Sequence, residues 1–466
     1  MNHERSLKLE SMLAGGALLA IVFTALAHGV VEPWSAAVFQ LLVAGLVMIW
    51  AIKGVVDRRV TVTVPAIAWP LVGLIAISAV QGITWTDAEG FRRGLSLDVE
   101  ATHATSLMLA CLLVCCLLGA TWWARRERLM LLAKLLTLYG MVLACFALVQ
   151  NFSGTRDIYW LRTITTNVPF GPFINRDHFA GYIELLIAVP VALIVTRQVR
   201  SEQRFLYGGT AMVMGVAAIF TLSRGGMISI FAELAFLGAI ALARSMRQSH
   251  HSSFGARSRG AWALEGLAVA AILAAILAGV AWIGAEPVIN RIATGNAEEF
   301  DLRNRQSFYQ ARGLMWVESW RIFRAHPLLG TGLGAFETAY PAYSGDKGTG
   351  GIVAQAHNDY LQILADAGIA GGLLALWFLL LFGRALLRGA MRYDPLVSGM
   401  TLGCGAGVFG LLVHSLFDFG LQLPSHAVLF LVLSAIVSRL GAAAEEPLLQ
   451  RATITEMDPA LFGQGA

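Results

Sequence analysis

Residues 34–59, WSAAVFQLLVAGLVMIWAIKGVVDRR, decide the fold. The part from 34 to 52 carries no charged residue and ends on Lys53, Arg58 and Arg59. As a helix rising about 1.5 Å per residue, such a run covers the roughly 30 Å hydrocarbon core of a bilayer. Hydrocarbon offers no water to pair with peptide groups, so the chain must satisfy them internally, and a helix does this within one segment. The basic residues behind the run mark its inner side, because short cytoplasmic loops concentrate Lys and Arg.

The same pattern extends over nearly all 466 residues, of which 57% are hydrophobic and 14% charged. A soluble domain carries about 25% charged residues. Spans are predicted at 11–28, 34–52, 64–82, 105–123, 129–150, 179–196, 205–222, 227–243, 262–284, 360–383, 396–414 and 426–441. The first could be a signal peptide, but no small-residue cleavage site precedes Glu32-Pro33, so it reads as a retained span. With the N-terminus inside, the inner loops carry Lys53/Arg58/Arg59, Arg125/Arg126/Arg128, Arg197/Arg200/Arg204, Arg244/Arg247/Arg257/Arg259 and Arg384/Arg388/Arg392. One missed helix would put the later clusters outside. The expected fold is all-α: a polytopic bundle of about twelve transmembrane helices with one large outward-facing loop. The expected organisation is helices 1–9 over 1–284, the loop over 285–359, helices 10–12 over 360–441 and a short disordered tail over 442–466, both termini lying inside.

Within the large loop, 304–325 reads as an amphipathic helix stopped by Pro327, with Phe308, Met315, Trp316, Trp320 and Phe323 on an apolar face for the outer leaflet or the bundle. The Gly- and aromatic-rich remainder, GTGLGAFETAYPAYSGDKGTGG, reads as a shaped loop. All five cysteines (Cys111, Cys115, Cys116, Cys145, Cys404) fall in apolar segments and read as small core residues rather than as disulfide or zinc partners.

Polar residues that could carry chemistry gather on the outer side. Arg224, in TLSRGG, lies between two spans with almost no loop; it is either a snorkelling anchor or an anion clamp, since a guanidinium grips phosphate oxygens bidentately. Two glycines beside it would let a phosphate approach the backbone. Arg312, in ARGLMWVESW, is either a solvated helix residue or a second clamp, and Arg303 and Arg305 are weaker candidates. His357 opens AHNDYLQILADAGIAGG at the re-entry into the membrane, where a neutral imidazole can act as general base or simply as a cap residue. Asn358 and Asp359 beside it could cap the helix. GPFINRDHFAGY at 171–182 puts Asn175, Arg176, Asp177 and His178 at a helix entrance, and HSLFDFGLQLPSH at 414–426 puts His414, Asp418 and His426 around a turn. Either segment could line a site or cap and anchor its helix. Their spacing matches no recognised metal-ligand set, and no metal or other cofactor is expected.

Taken in order, SLDVEATHATSLMLA, NRDHFAGYIEL, TLSRGG, ARGLMWVESWRIFRAHPLLGTGLGAFETAYPAY, AHNDYLQILADAGIAGG and HSLFDFGLQLPSHAVLF resemble the O-antigen ligase/polymerase family, over roughly residues 95–430. That resemblance implies twelve helices with a large periplasmic loop, a bacterial inner-membrane location and an undecaprenyl diphosphate-linked glycan as donor. It implies a glycan or lipid A-core as acceptor and membrane lipids, but no nucleic acid, as partners. It also implies His357 as catalytic base and Arg224 and Arg312 as diphosphate-binding residues, with Asn175, His178, Asn358 and Asp418 as possible site lining. His103 stands where relatives often have an arginine, so no role is transferred to that segment. Direct displacement by the acceptor hydroxyl would invert the anomeric centre. The absence of a D-x-D motif and of any Rossmann-like segment argues against a metal-dependent nucleotide-sugar transferase.

The leading reading is therefore a metal-independent inverting glycosyltransferase, first an O-antigen ligase of lipopolysaccharide biosynthesis. The alternatives are a polymerase extending the carrier-linked glycan, a protein O-oligosaccharyltransferase and, from another class, a secondary transporter. For the transporter, Glu184 and Glu233 are the intramembrane acids that could relay protons, although no repeat relates the two halves.

Overall fold

The computed structural model describes residues 2–165, 167–251, 315–344 and 353–442. The chain is an all-α, multi-pass membrane protein. Among the described residues, eight helices are long and apolar enough to cross a membrane. These are α1 (Asn2–Leu26), α2 (Pro33–Asp57), α4 (Val99–Leu118, prolonged by a π-helical turn to Trp123), α5 (Arg126–Phe152) and α6 (Arg176–Val195), then α10 (Asp359–Ala390), α11 (Pro395–His414) and α12 (Pro424–Ala442). Between them run α3 (Ala68–Gln81), α7 (Ser201–Phe220), α8 (Arg224–His251) and α9 (residues 315–325).

The differences from expectation are local. The span expected at 64–82 is a helix of only 14 residues, because Pro65 leads a turn and the helix starts at Ala68. The helix expected from 105 begins at Val99, where the Asp98 carboxylate accepts the Ala101 N–H as an N-cap. The outer segments at 83–104 and 151–178 carry two short antiparallel hairpins, Thr84–Thr86 with Arg92–Gly94 and Asp157–Ile158 with Arg162–Thr163. The predicted span 262–284, Phe308, Arg303, Arg305, Arg312 and the tail from 443 lie outside the described residues. Four cysteines are buried and free, and Cys145 is free on the exposed surface of α5.

The basic helix ends gather at one end of the bundle. Glu10 accepts from Arg125 at 2.6 Å and Arg128 at 2.5 Å, Arg126 reaches Asp394 at 2.7 Å, and Lys53 reaches Asp57 at 2.6 Å. The opposite end carries the segments singled out for chemistry.

There α10 is broken. Gly368 adopts φ +62, which frees backbone groups that the GTGLG segment then satisfies. Ile369 N–H donates to Pro327 O at 2.8 Å, while Thr331 and Gly332 N–H donate to Ala365 O and Asp366 O at 2.9 and 3.0 Å. The Gln81 amide from α3 completes the seam, donating to Leu329 O and Asp366 O and accepting from Leu333 N–H. A small second core of Ile322, Phe336, Tyr340, Ala356 and Ala365, with Met315 against it, seats α9 on the start of α10. Part of the expected apolar face of α9 thus lies against this loop, whereas Trp320 remains 47% exposed.

Candidate active site

Three helix entrances and one turn converge at the end of the bundle away from the basic cluster. At the start of α10 the Asn358 side chain caps the helix, accepting from Tyr360 and Leu361 N–H at 3.0 Å each. Its amide donates to Leu416 O at 3.0 Å. Asp359 is buried and accepts from Ser415 Oγ at 2.8 Å and Leu421 N–H at 3.0 Å, while its own N–H donates to Ser415 O. Tyr360 Oη donates to Leu412 O at 2.8 Å. These bonds stitch the α10 entrance to the 415–422 turn, and His357, the residue just before the cap, is held against that turn.

His357 sits in left-handed backbone conformation at φ 49, an uncommon choice for a non-glycine residue. Its Nδ1 lies 3.1 Å from Asp418 Oδ1, its ring packs edge-on against Phe419 with centroids 4.7 Å apart, and its carbonyl accepts from the Trp316 indole at 3.4 Å. The imidazole is 28% exposed while the Asp418 side chain is only 5% exposed. Burial alone would raise the Asp418 carboxyl. The hydrogen bond from His357 and the charges of His178, His357 and His414 outweigh it, leaving the group well below the ordinary carboxylate range. An ionised carboxylate only accepts hydrogen bonds, so Nδ1 carries a proton, and in the neutral imidazole Nε2 then presents a lone pair. The arrangement can take a proton from a hydroxyl brought to Nε2.

His178, on the first turn of α6, packs against the same Phe419, its ring 5.1 Å away. Its carbonyl accepts from His426 Nε2 at 2.7 Å. Asn175 caps α6 through Asp177 N–H at 2.9 Å. Arg224 is the first residue of α8, after Leu222 in left-handed conformation at φ 56, and is half-buried. The next two residues bring its turn onto the others. A methyl group on Gly225 would lie 3.0 Å from the His414 ring and 3.6 Å from Phe417 Cβ, and one on Gly226 would lie 3.1 Å from Glu184 Oε1.

Of the residues expected at the site, His357, Asn358, Asp418 and His178 thus meet directly around one turn. The Arg224 turn rests on the His414 end of that turn, and Asn175 is spent on its own helix. Sequence reasoning missed the parts played by Phe419, which both histidines flank, and by Trp316. It noticed Glu184 but not its partner: His414 Nδ1 donates to Glu184 Oε1 and Oε2 at 3.1 and 3.2 Å. Two titratable residues on facing spans were the available signal. Both Glu233 oxygens are buried without a hydrogen-bond partner among the described residues. No group of three His, Cys, Asp or Glu among the described residues is arranged to hold a metal ion.

Residues 209–376 match the family model described as O-antigen ligase. Over this region, a little over a third of its length, the chain is similar to the O-antigen ligase family. The ligase region contains Arg224, Arg312 and His357, while His178, His414 and Asp418 reach the site from outside it. The match supports a membrane enzyme of the O-antigen ligase/polymerase type, a family that acts on lipid-linked glycans. No curated protein matches the chain.

Proposed function

We propose that the chain transfers a glycan from undecaprenyl diphosphate to an acceptor hydroxyl at the periplasmic face of the bacterial inner membrane, and that the acceptor is a lipid A-core sugar. In this reading the basic end of the bundle and both termini are cytoplasmic, following the positive-inside rule. The observation that carries it is the hydrogen bond from partly exposed His357 to buried Asp418, which leaves Nε2 to act as a base in a chain similar to a family of lipid-linked glycan enzymes.

His357 Nε2 takes the acceptor hydroxyl proton as its oxygen attacks the anomeric carbon. The bond from that carbon to the diphosphate oxygen breaks, and inversion follows from attack opposite the leaving group. The departing diphosphate gains negative charge, which Arg224 and Arg312 meet with guanidinium forks that stay charged at any working pH. Arg312 is four residues before Trp316, whose indole N–H reaches the His357 carbonyl, and this sequence proximity supports its role. The arginines provide the charge that a metal ion supplies in other transferases. His178 stands across Phe419 from the base, and Asn358 holds the α10 entrance that carries it.

The test is transfer by the purified protein from an undecaprenyl diphosphate-linked glycan, offered separately to lipid A-core and to a second carrier-linked chain. Polymer on lipid A-core supports the ligase. Longer carrier-linked chains alone would replace it with a polymerase. No product in either mixture contradicts glycan transfer.

A further inference from the structure

Glu184 on α6 and His414 at the end of α11 form an imidazole–carboxylate pair with side chains 0% and 4% exposed, inside the membrane-spanning part of the bundle. Such a pair is expensive to desolvate, and an apolar pair of similar volume would hold two helices together at least as well. Helix association alone therefore does not account for it.

Its neighbours suggest another role. His414 touches both halves of the candidate active site. Through its backbone, its carbonyl accepts the N–H groups of Phe417 and Asp418 at 2.8 and 3.1 Å, which sets the turn that presents Asp418 to His357. Through its side chain it lies against Gly225, and Glu184 lies against Gly226, at the distances given above. The two positions directly after Arg224 carry no side chain, so the α8 entrance rests on the pair itself. Gly181, one turn before Glu184 on α6, is equally close: a methyl group there would lie 3.3 Å from His414 Nδ1 and 3.4 Å from His426 Nε2. A hydrogen bond accepted by both Glu184 oxygens fixes the imidazole in rotation as well as in depth.

We propose that Glu184 and His414 are positioning residues for the transfer reaction, their side-chain pair setting the separation between Arg224 and the His357–Asp418 contact. This rests on the roles proposed above for Arg224 and His357. The pair touches neither donor nor acceptor. It acts by holding the diphosphate-binding turn in register with the base, and misplacement by about 1 Å can cost about 100-fold in rate.

The experiment compares wild type, Glu184→Gln, the double variant Glu184→Leu/His414→Phe and Gly225→Ala, measuring kcat, KM for the undecaprenyl diphosphate-linked donor and thermal midpoint in one detergent. The double variant removes both polar groups at once and leaves no lone buried charge. Its midpoint is expected to stay near that of wild type while kcat falls about 100-fold. Glu184→Gln keeps an oxygen to accept the His414 Nδ1–H and is expected to retain kcat within about 10-fold. Gly225→Ala presses a methyl group on the His414 ring and is expected to lower kcat with little change in midpoint. A folded double variant with wild-type kcat and KM would overturn the proposal, as would Glu184→Gln being as impaired as the double variant. Should the double variant fail to fold, wild-type kcat in Gly225→Ala would overturn it. His357→Ala, run alongside, separates the two levels. Full activity there contradicts the proposed base, whereas loss there beside a fully active double variant contradicts only the positioning role.

Discussion

His357 and Asp418, 61 residues apart in sequence, meet through an Nδ1 to Oδ1 contact of 3.1 Å. The carboxylate fixes which imidazole nitrogen is free. In Asp418→Asn the amide can donate as well as accept, so the wrong tautomer becomes available at Nε2. The variant is expected to lose about 100-fold or more in kcat with donor KM little changed, read by steady-state transfer. Wild-type kcat would remove Asp418 from the mechanism.

The depressed pKa of Asp418 also has a stability consequence. A group ionised more readily in the folded state than in the unfolded one stabilises the fold above its unfolded pKa. That contribution is lost as pH falls through the folded pKa. The difference in thermal midpoint between wild type and Asp418→Asn is therefore expected to stay constant from about pH 7 to pH 5 and to shrink below about pH 4. A difference that already shrinks between pH 7 and pH 5 would contradict the low value.

A lysine at position 224 keeps the charge but loses the fork. If Arg224 grips a diphosphate through two parallel N–H bonds, Arg224→Lys is expected to cost about 10²–10³-fold in kcat/KM for the donor. Measurement in detergent at fixed ionic strength checks this, and near-wild-type activity would reduce Arg224 to an interfacial anchor.

Gly368 adopts φ +62, and a methyl group there would lie 2.5 Å from the Leu328 carbonyl carbon. Gly368→Ala must adopt φ +62 with ψ −158, a region essentially reserved for glycine, at a cost of about 1–3 kcal/mol, and also push the 327–334 seam away. The expected result is a lower thermal midpoint with partial loss of transfer, because the seam seats the α10 entrance that carries His357. An unchanged midpoint would show that the seam yields without cost.

Most of the fold was legible because membrane solvation leaves a one-dimensional record. Runs such as 34–52 and 396–414 are apolar over a bilayer's thickness, and each expected span other than 262–284, which lies outside the described residues, coincides with a helix. Periodicity could not reveal the break at Gly368, since that glycine sits within a run that reads as continuous helix and only the GTGLG segment, packed across it, makes the opening affordable. At the site, Asn358 and Asp418 stood out as polar residues at helix ends. Phe419 did not, because an aromatic residue at an interface reads as an anchor. The Glu184–His414 pair links residues 230 apart, and neither residue alone signals the other.

Single-turnover transfer from a purified undecaprenyl diphosphate-linked glycan, comparing wild type with His357→Ala at equal donor occupancy, tests the role of His357 as base. Both proteins are expected to bind the donor with similar affinity, and product formation is expected to fall by about 10²–10⁴-fold in the variant. Equal rates of product formation at equal occupancy would contradict it.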